Sequence, residues 1–174
     1  MESYKITPRK QLLNSWPIFL YAIICIVVVE ATVYYKGSDA FNSVTTFMGI
    51  AFLSQLLPQF FLHLNYYNIN KNDTLNYDKL YKEIDFIHNS KHIKFNLDDI
   101  KTATMYKSFA LKRKDIQFLT YDSYNHTVIV LHDGTRIVLT SLLMGEDFSL
   151  PIPEEKIKVK GNIYRWARGP SLQN

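Results

Sequence analysis

A membrane α-helical hairpin followed by an all-β domain is the fold class this sequence predicts, and three observations predict it. Residues 16–64 contain only Glu30, Lys36 and Asp39 as charges, whereas residues 66–174 hold 16 Lys and Arg against 13 Asp and Glu. The charge-poor stretch divides into two apolar runs of about 20 residues, the length a helix needs to cross about 30 Å of hydrocarbon. From residue 68 onward apolar and polar residues alternate, the period of a strand with one buried face. The 174 residues therefore read as a tail over 1–14, a two-helix hairpin over 15–67 and one β-rich domain over 68–174.

The first span covers 16–35, with Trp16 at one boundary and Tyr34 and Tyr35 at the other, since amphipathic rings favour the headgroup level. It is longer than a signal-peptide core, and no small-x-small cleavage site follows it. The second span, 44–64, holds no Asp, Glu, Lys or Arg and ends at Asn65, Tyr66 and Tyr67. The intervening stretch, with Gly37, Ser38 and Asp39, is turn-like and short enough to force an antiparallel hairpin. Lys5, Arg9 and Lys10 precede the first span and Lys71, Lys79 and Lys82 follow the second, against Lys36 alone in the loop. The positive-inside rule then predicts a multi-pass protein with both termini in the cytoplasm. Lys, Asn, Ile and Tyr are abundant, a bias associated with AT-rich bacterial genomes that carries no mechanism, and the expected location is the bacterial inner membrane.

Polar residues inside a span are costly and so informative. Glu30 lies near the Tyr34 boundary and is expected to reach outward to the interface or to face a neighbouring helix. Gln55, Gln59 and His63 recur every four residues and share one helix face. That stripe suits a helix–helix or oligomer contact, with a pore lining as the bolder reading. Pro58 removes one backbone donor and predicts a kink.

About six or seven short strands are expected in the β-rich domain. Eight candidate segments supply them: 75–77, 83–88, 91–97, 102–109, 117–121, the two arms of 126–140, and 156–166. In 91–97, Ile93, Phe95 and Leu97 share one face while His92, Lys94 and Asn96 share the other. Asn89 and Ser90 suit a hairpin connection, and Asp133-Gly134 suits a type I′ turn, because both its central residues must tolerate positive φ. Many short antiparallel strands imply a sandwich or a small barrel.

Ile93 to Ile100, Phe118 to His126, and Asp133 to Leu143 together resemble the bacterial pleckstrin-homology-like (PH-like) domains, over roughly 74–150. The resemblance implies a partly open, seven-stranded PH-like β-barrel, in a family whose members often carry two preceding hydrophobic segments. The family's usual closing helix is hard to place, because Pro151 and Pro153 would break it. In plan alone, the chain is also similar to the two-helix, β-rich effectors of bacterial cyclic-nucleotide anti-phage signalling. In those, the barrel receives the nucleotide and the helices assemble to damage the membrane.

Chemistry is sparse. The six glycines fall in no phosphate-loop spacing, the five histidines form no HExxH pair, and no GxSxG elbow surrounds a serine. His126 and His132 read as lying on one face of one strand. The single cysteine, Cys25, lies in an apolar run, so no disulfide or cysteine-ligated metal is expected. No enzyme, cofactor, metal or nucleic-acid polymer is predicted. The candidate ligand-binding residues are Lys107 with Lys112, Arg113 and Lys114, then Arg136, then Lys156, Lys158 and Lys160 with Arg165. Each cation beside a bilayer adds about 1 kcal/mol of attraction to acidic lipid. The expected role is a membrane-anchored scaffold or sensor binding a protein partner or an anionic ligand, with a homo-oligomer or membrane protein as partner and a cyclic nucleotide or lipid headgroup as ligand. A cyclic-nucleotide effector and an immunity protein against a membrane-active toxin are the alternatives.

Overall fold

The computed structural model describes residues 1–145 and 150–173. The chain begins not with a tail but with a strand, β1 (Glu2–Lys5), followed by α1 (Pro8–Lys36) and α2 (Phe41–Asn70). Thr7 starts α1: its extended backbone leaves the hydroxyl free to accept from the Lys10 amide at 3.3 Å, with Pro8 pre-set for the first turn. Gly37, at φ 82°, stops it, and one 3-10 turn (Ser38–Ala40) reverses the chain into α2. Both helices are long and apolar enough to span a membrane. Their apolar faces remain uncovered: Ile26 is 61 % exposed, Phe47 70 % and Ile50 65 %. A helix serving a water-soluble core would bury such side chains.

Two sheets follow. The first has the order β1-β2-β3-β4, with β2 (Asp73–Asp78), β3 (Glu83–His88) and β4 (Lys91–Asn96). The second has the order β8-β5-β6-β7-β9, built from β5 (Ile100–Lys107), β6 (His126–Leu131), β7 (Arg136–Thr140), β8 (Ile157–Gly161) and β9 (Leu172–Gln173). Their inner faces share one apolar core that includes Leu75, Ile84, Phe86, Ile100, Ile129, Ile137 and Leu139. The expected all-β domain is therefore present as two packed sheets, and no closed barrel forms among the described residues.

The register of β1 matters most. Glu2 pairs with Tyr77 and Lys5 with Thr74, so the strand before the helices lies beside the strand after them. The hairpin is an insertion in the β1–β2 connection, and both of its open ends return to one sheet edge.

Several expectations need correcting. Nine strands occur among the described residues rather than six or seven, because the short terminal pieces β1 and β9 join sheet edges that their few residues do not announce. β8 runs parallel to β5, not antiparallel, and it stops at Gly161. Residues 117–121 form no strand, since their polar groups bond to α2 instead of to a sheet neighbour. At the β6–β7 turn only Gly134 has positive φ, at 92°. The Gly134 amide donates to Leu131 O at 3.1 Å and the Leu131 amide to Thr135 O at 2.9 Å. This is a three-residue connection ending in a glycine bulge, not type I′. His132 sits in that turn and so does not share the strand face of His126. By contrast, Asn89 (φ 46°) and Ser90 (φ 69°) make the tight β3–β4 turn that was expected.

Two short helices complete the domain, α3 (Phe109–Arg113) and α4 (Ser141–Met144). Among the described residues, the place where the resemblance implies a closing helix holds the four residues of α4, and Leu143, Met144, Leu150 and Ile152 fill that end of the core.

Candidate functional site

The outer face of the second sheet, away from the shared core, carries Thr104 and Tyr106 of β5, His126 and Val128 of β6, Arg136, Val138 and Thr140 of β7, and Lys158 and Lys160 of β8. Cross-strand pairing fixes this set: His126 opposes Tyr106 and Thr140, and Lys160 opposes Tyr106. One part of the face is closed by α2, whose Leu62 and Tyr66 pack with Tyr121, Tyr124, Val138, Leu142 and Ala167. Asn70, fully buried at the end of α2, fastens the joint. Its Nδ2 donates to Val138 O at 2.9 Å and to Asp73 Oδ2 at 2.7 Å, and its Oδ1 accepts from the Thr140 amide at 2.9 Å.

The uncovered part is a cavity of about 290 Å³ lined by Tyr106, His126, Arg136, Asn162, Tyr164, Trp166 and Arg168, among others. Its floor is a stack: the Tyr106 and His126 rings lie 4.6 Å apart at 10°. The Tyr66 hydroxyl donates its one proton to Arg165 O at 2.8 Å, so its contact with His126 Nδ1 at 3.1 Å must be donated by the imidazole. His126 thus carries a proton on Nδ1. Burial, and then the positive charge of Arg136, push its pKa down to about 4.

The rim is cationic. Lys160 Nζ lies 5.7 Å from the centroid of the Tyr106 ring. Among the described residues Arg136 donates to neutral oxygens, Gln173 Oε1 at 3.2 Å and Arg168 O at 3.0 Å. Among the described residues no carboxylate lines this cavity, and none forms an ion pair with Arg136, Arg168, Lys158 or Lys160.

Of the sequence candidates, the fold brings Arg136, Lys158 and Lys160 to this face, with Arg165 behind it. Arg165 is only 1 % exposed, so it is no surface cation. It donates to the carbonyls of Tyr124 (2.5 Å), Asn162 (3.0 Å), Ile163 (2.8 Å) and Tyr121, and burial holds its pKa below the usual guanidinium range. It clamps residues 162–168 over the sheet. Lys156 lies apart, donating to Asp98 O at 3.0 Å. Lys107 ends β5, whereas Lys112, Arg113 and Lys114 form a separate cluster on α3 and its cap, where Arg113 pairs with Asp115 at 2.8 Å. Sequence reasoning missed Tyr106, His126 and Trp166 as site residues. Only the pairing of β5 with β6 and the fold-back after Gly161 bring them together.

The helix stripe has partners too. Gln59 Nε2 donates to Ser15 O of α1 at 3.2 Å, a contact between the two helices. Gln55 and His63 instead hold the 116–125 segment. Gln55 Oε1 accepts from the Thr120 amide and Gln55 O from the Thr120 hydroxyl, both at 3.3 Å, while His63 Nδ1 meets the Tyr124 hydroxyl at 2.8 Å. Burial pushes Tyr124 up to about 12, against hydrogen bonds from Ser15 and Gln59. Glu30 lines an apolar cleft of about 430 Å³ between the helices, with Cys25 and Met48.

One constellation mimics a hydrolase. His88 Nδ1 is 2.6 Å from Asp73 Oδ1 and 2.9 Å from Ser171 Oγ, but both contacts use the same nitrogen, and the Asn89 amide occupies Nε2 at 2.9 Å. A Ser-His-Asp relay needs the two nitrogens on opposite partners, so this trio pins residue 171 to the first sheet rather than activating it. Among the described residues no cluster of three His, Cys, Asp or Glu could hold a metal ion.

Residues 3–149 match the PH domain, from β1 through the helical hairpin and on past α4. The chain belongs to the PH-domain family. Neither the curated proteins nor the solved structures compared with it gave a match. Domains of this family are generally non-catalytic binding modules, and the two sheets with their inserted hairpin are this chain's form of the domain.

Proposed function

We propose that this PH-domain chain is a non-enzymatic protein anchored in the bacterial inner membrane by its helical hairpin, with both termini cytoplasmic, and that the domain binds a phosphate-bearing anion, foremost an anionic lipid headgroup. The cavity lined by Arg136 and Arg168, with Lys160 over the Tyr106 ring of its floor and no carboxylate of the described residues on its wall, carries this reading. Unpaired cations beside a protected polar wall attract a phosphate, and the arginine forks give it a fixed orientation. The neighbourhood points to lipid. Trp166 of the cavity wall also lines a second cavity with Phe61, Leu64 and Asn65 of α2, the domain end of the predicted second span. A ligand in the cavity would therefore sit at headgroup height.

The same rings favour a second reading. Tyr164 and Trp166 are 60 % and 50 % exposed and could stack on a base, as a cyclic-nucleotide effector requires. The full chain in lipid nanodiscs separates the two. Phosphatidylcholine discs doped with phosphatidylserine should raise the thermal midpoint of the domain, and the pair Lys160→Gln with Arg168→Gln should remove most of that rise. A cyclic dinucleotide that raises the midpoint in phosphatidylcholine alone would favour the effector; equal midpoints under every condition would overturn both.

A further inference from the structure

The loop over 115–120 is the least explained surface of the domain. Ile116 is 75 % and Phe118 82 % exposed, and both face a cavity wall shared with Phe109 and with Ile163, itself 53 % exposed. The loop also lies against α1. Gln117, Phe118, Leu119 and Thr120 line one cleft together with Trp16, Leu20 and Ile24. Its height along the hairpin is set by Thr120, whose amide and hydroxyl both bond to Gln55.

That height conflicts with a domain standing clear of the bilayer. From Phe41 to Gln55 an α-helix rises about 21 Å, whereas the hydrocarbon core is about 30 Å thick. Even with Phe41 at the far edge of the hydrocarbon, the near edge lies about 9 Å beyond Gln55, towards the domain. Tilting the helix, or starting the span later, only deepens Gln55.

We propose that residues 115–120 form a third membrane contact, a wedge whose Ile116 and Phe118 enter the acyl–headgroup boundary beside α1. This rests on the reading that the hairpin spans the bilayer. Irregular backbone tolerates that depth only where its polar groups are met by protein, and here Gln55 meets the Thr120 amide and hydroxyl and Asp122 the Leu119 amide, while His63 meets the Tyr124 hydroxyl. Lys112, Arg113 and Lys114 precede the wedge and reach back to the phosphates, as cations flanking an interfacial segment do. Asp122 points inward, its Oδ2 accepting from the Leu119 amide at 3.1 Å, and Asp115 is held by Arg113. The occupant of the patch is lipid, continuous with the lipid around the helices.

The test uses the full chain in liposomes with Cys25→Ala, so that one introduced cysteine carries an environment-sensitive fluorophore. The sites are Phe118→Cys, Phe47→Cys in the span and Leu80→Cys at the β2–β3 turn. The wedge predicts blue-shifted emission at position 118, with quenching by shallow spin-labelled lipid within about twofold of that at position 47, and water-like emission at position 80. A label at 118 that behaves like the one at 80, while 47 is quenched by lipid, overturns the wedge and leaves the anchor standing. A label at 47 that escapes lipid quenching overturns the spanning reading on which the wedge depends.

Discussion

Asn70 and His126 show how single side chains tie the hairpin to the domain. Replacing Asn70 with Ala strands three buried groups at once: the Val138 carbonyl, the Thr140 amide and one oxygen of Asp73. Each unmet buried group costs about 1–3 kcal/mol, so Asn70→Ala should destabilise the domain by about 3 kcal/mol, read as a lower denaturation midpoint in detergent. His126 makes stability depend on pH in a definite direction. Its folded pKa of about 4 lies below the model-peptide value of 6.5, so the unfolded chain binds the proton first as pH falls. The contribution is complete above pH 6.5 and drains away towards pH 4, worth about 3 kcal/mol in all. His126→Asn should flatten the melting curve across that window, and an unchanged slope would show that the imidazole is not buried neutral. Neither role is legible in the sequence. Asn70 reads as part of a polar linker and His126 as one end of a strand face, because their burial needs partners that local pattern does not supply, Val138 and Thr140 for Asn70 and Tyr66 and Tyr106 for His126.

At the scale of elements, the strongest periodicities were the most legible. The strands at 83–88 and 91–96, the tight turn between them and the two apolar helices follow from local pattern, and those helices extend beyond 16–35 and 44–64 mainly by polar turns that continue into the domain. The 117–121 stretch misled because its apolar alternation serves the helices rather than a sheet. Its seating can be measured. Gln55→Leu should speed amide exchange at Thr120 about fivefold while leaving the amides of β6 and β7 unchanged, since one hydrogen bond is worth about 1 kcal/mol. The basic clusters were visible as composition, but only the fold-back after β8 shows that Arg168 joins Arg136 and Lys160, and that Arg165 faces inward.

For the whole molecule, the insertion of the hairpin between β1 and β2 sets everything else. A domain whose first strand precedes the helices and whose second follows them cannot straddle a bilayer, so anchor, cavity and wedge are held in one frame. The most direct measurement is side-specific labelling in sealed vesicles of single cysteines at Ser3, Ser38 and Leu80, in the Cys25→Ala background, with a reagent that does not cross membranes. The account predicts that positions 3 and 80 label from the same side and position 38 only from the other; labelling of all three from one side, or of 3 and 80 from opposite sides, would contradict it.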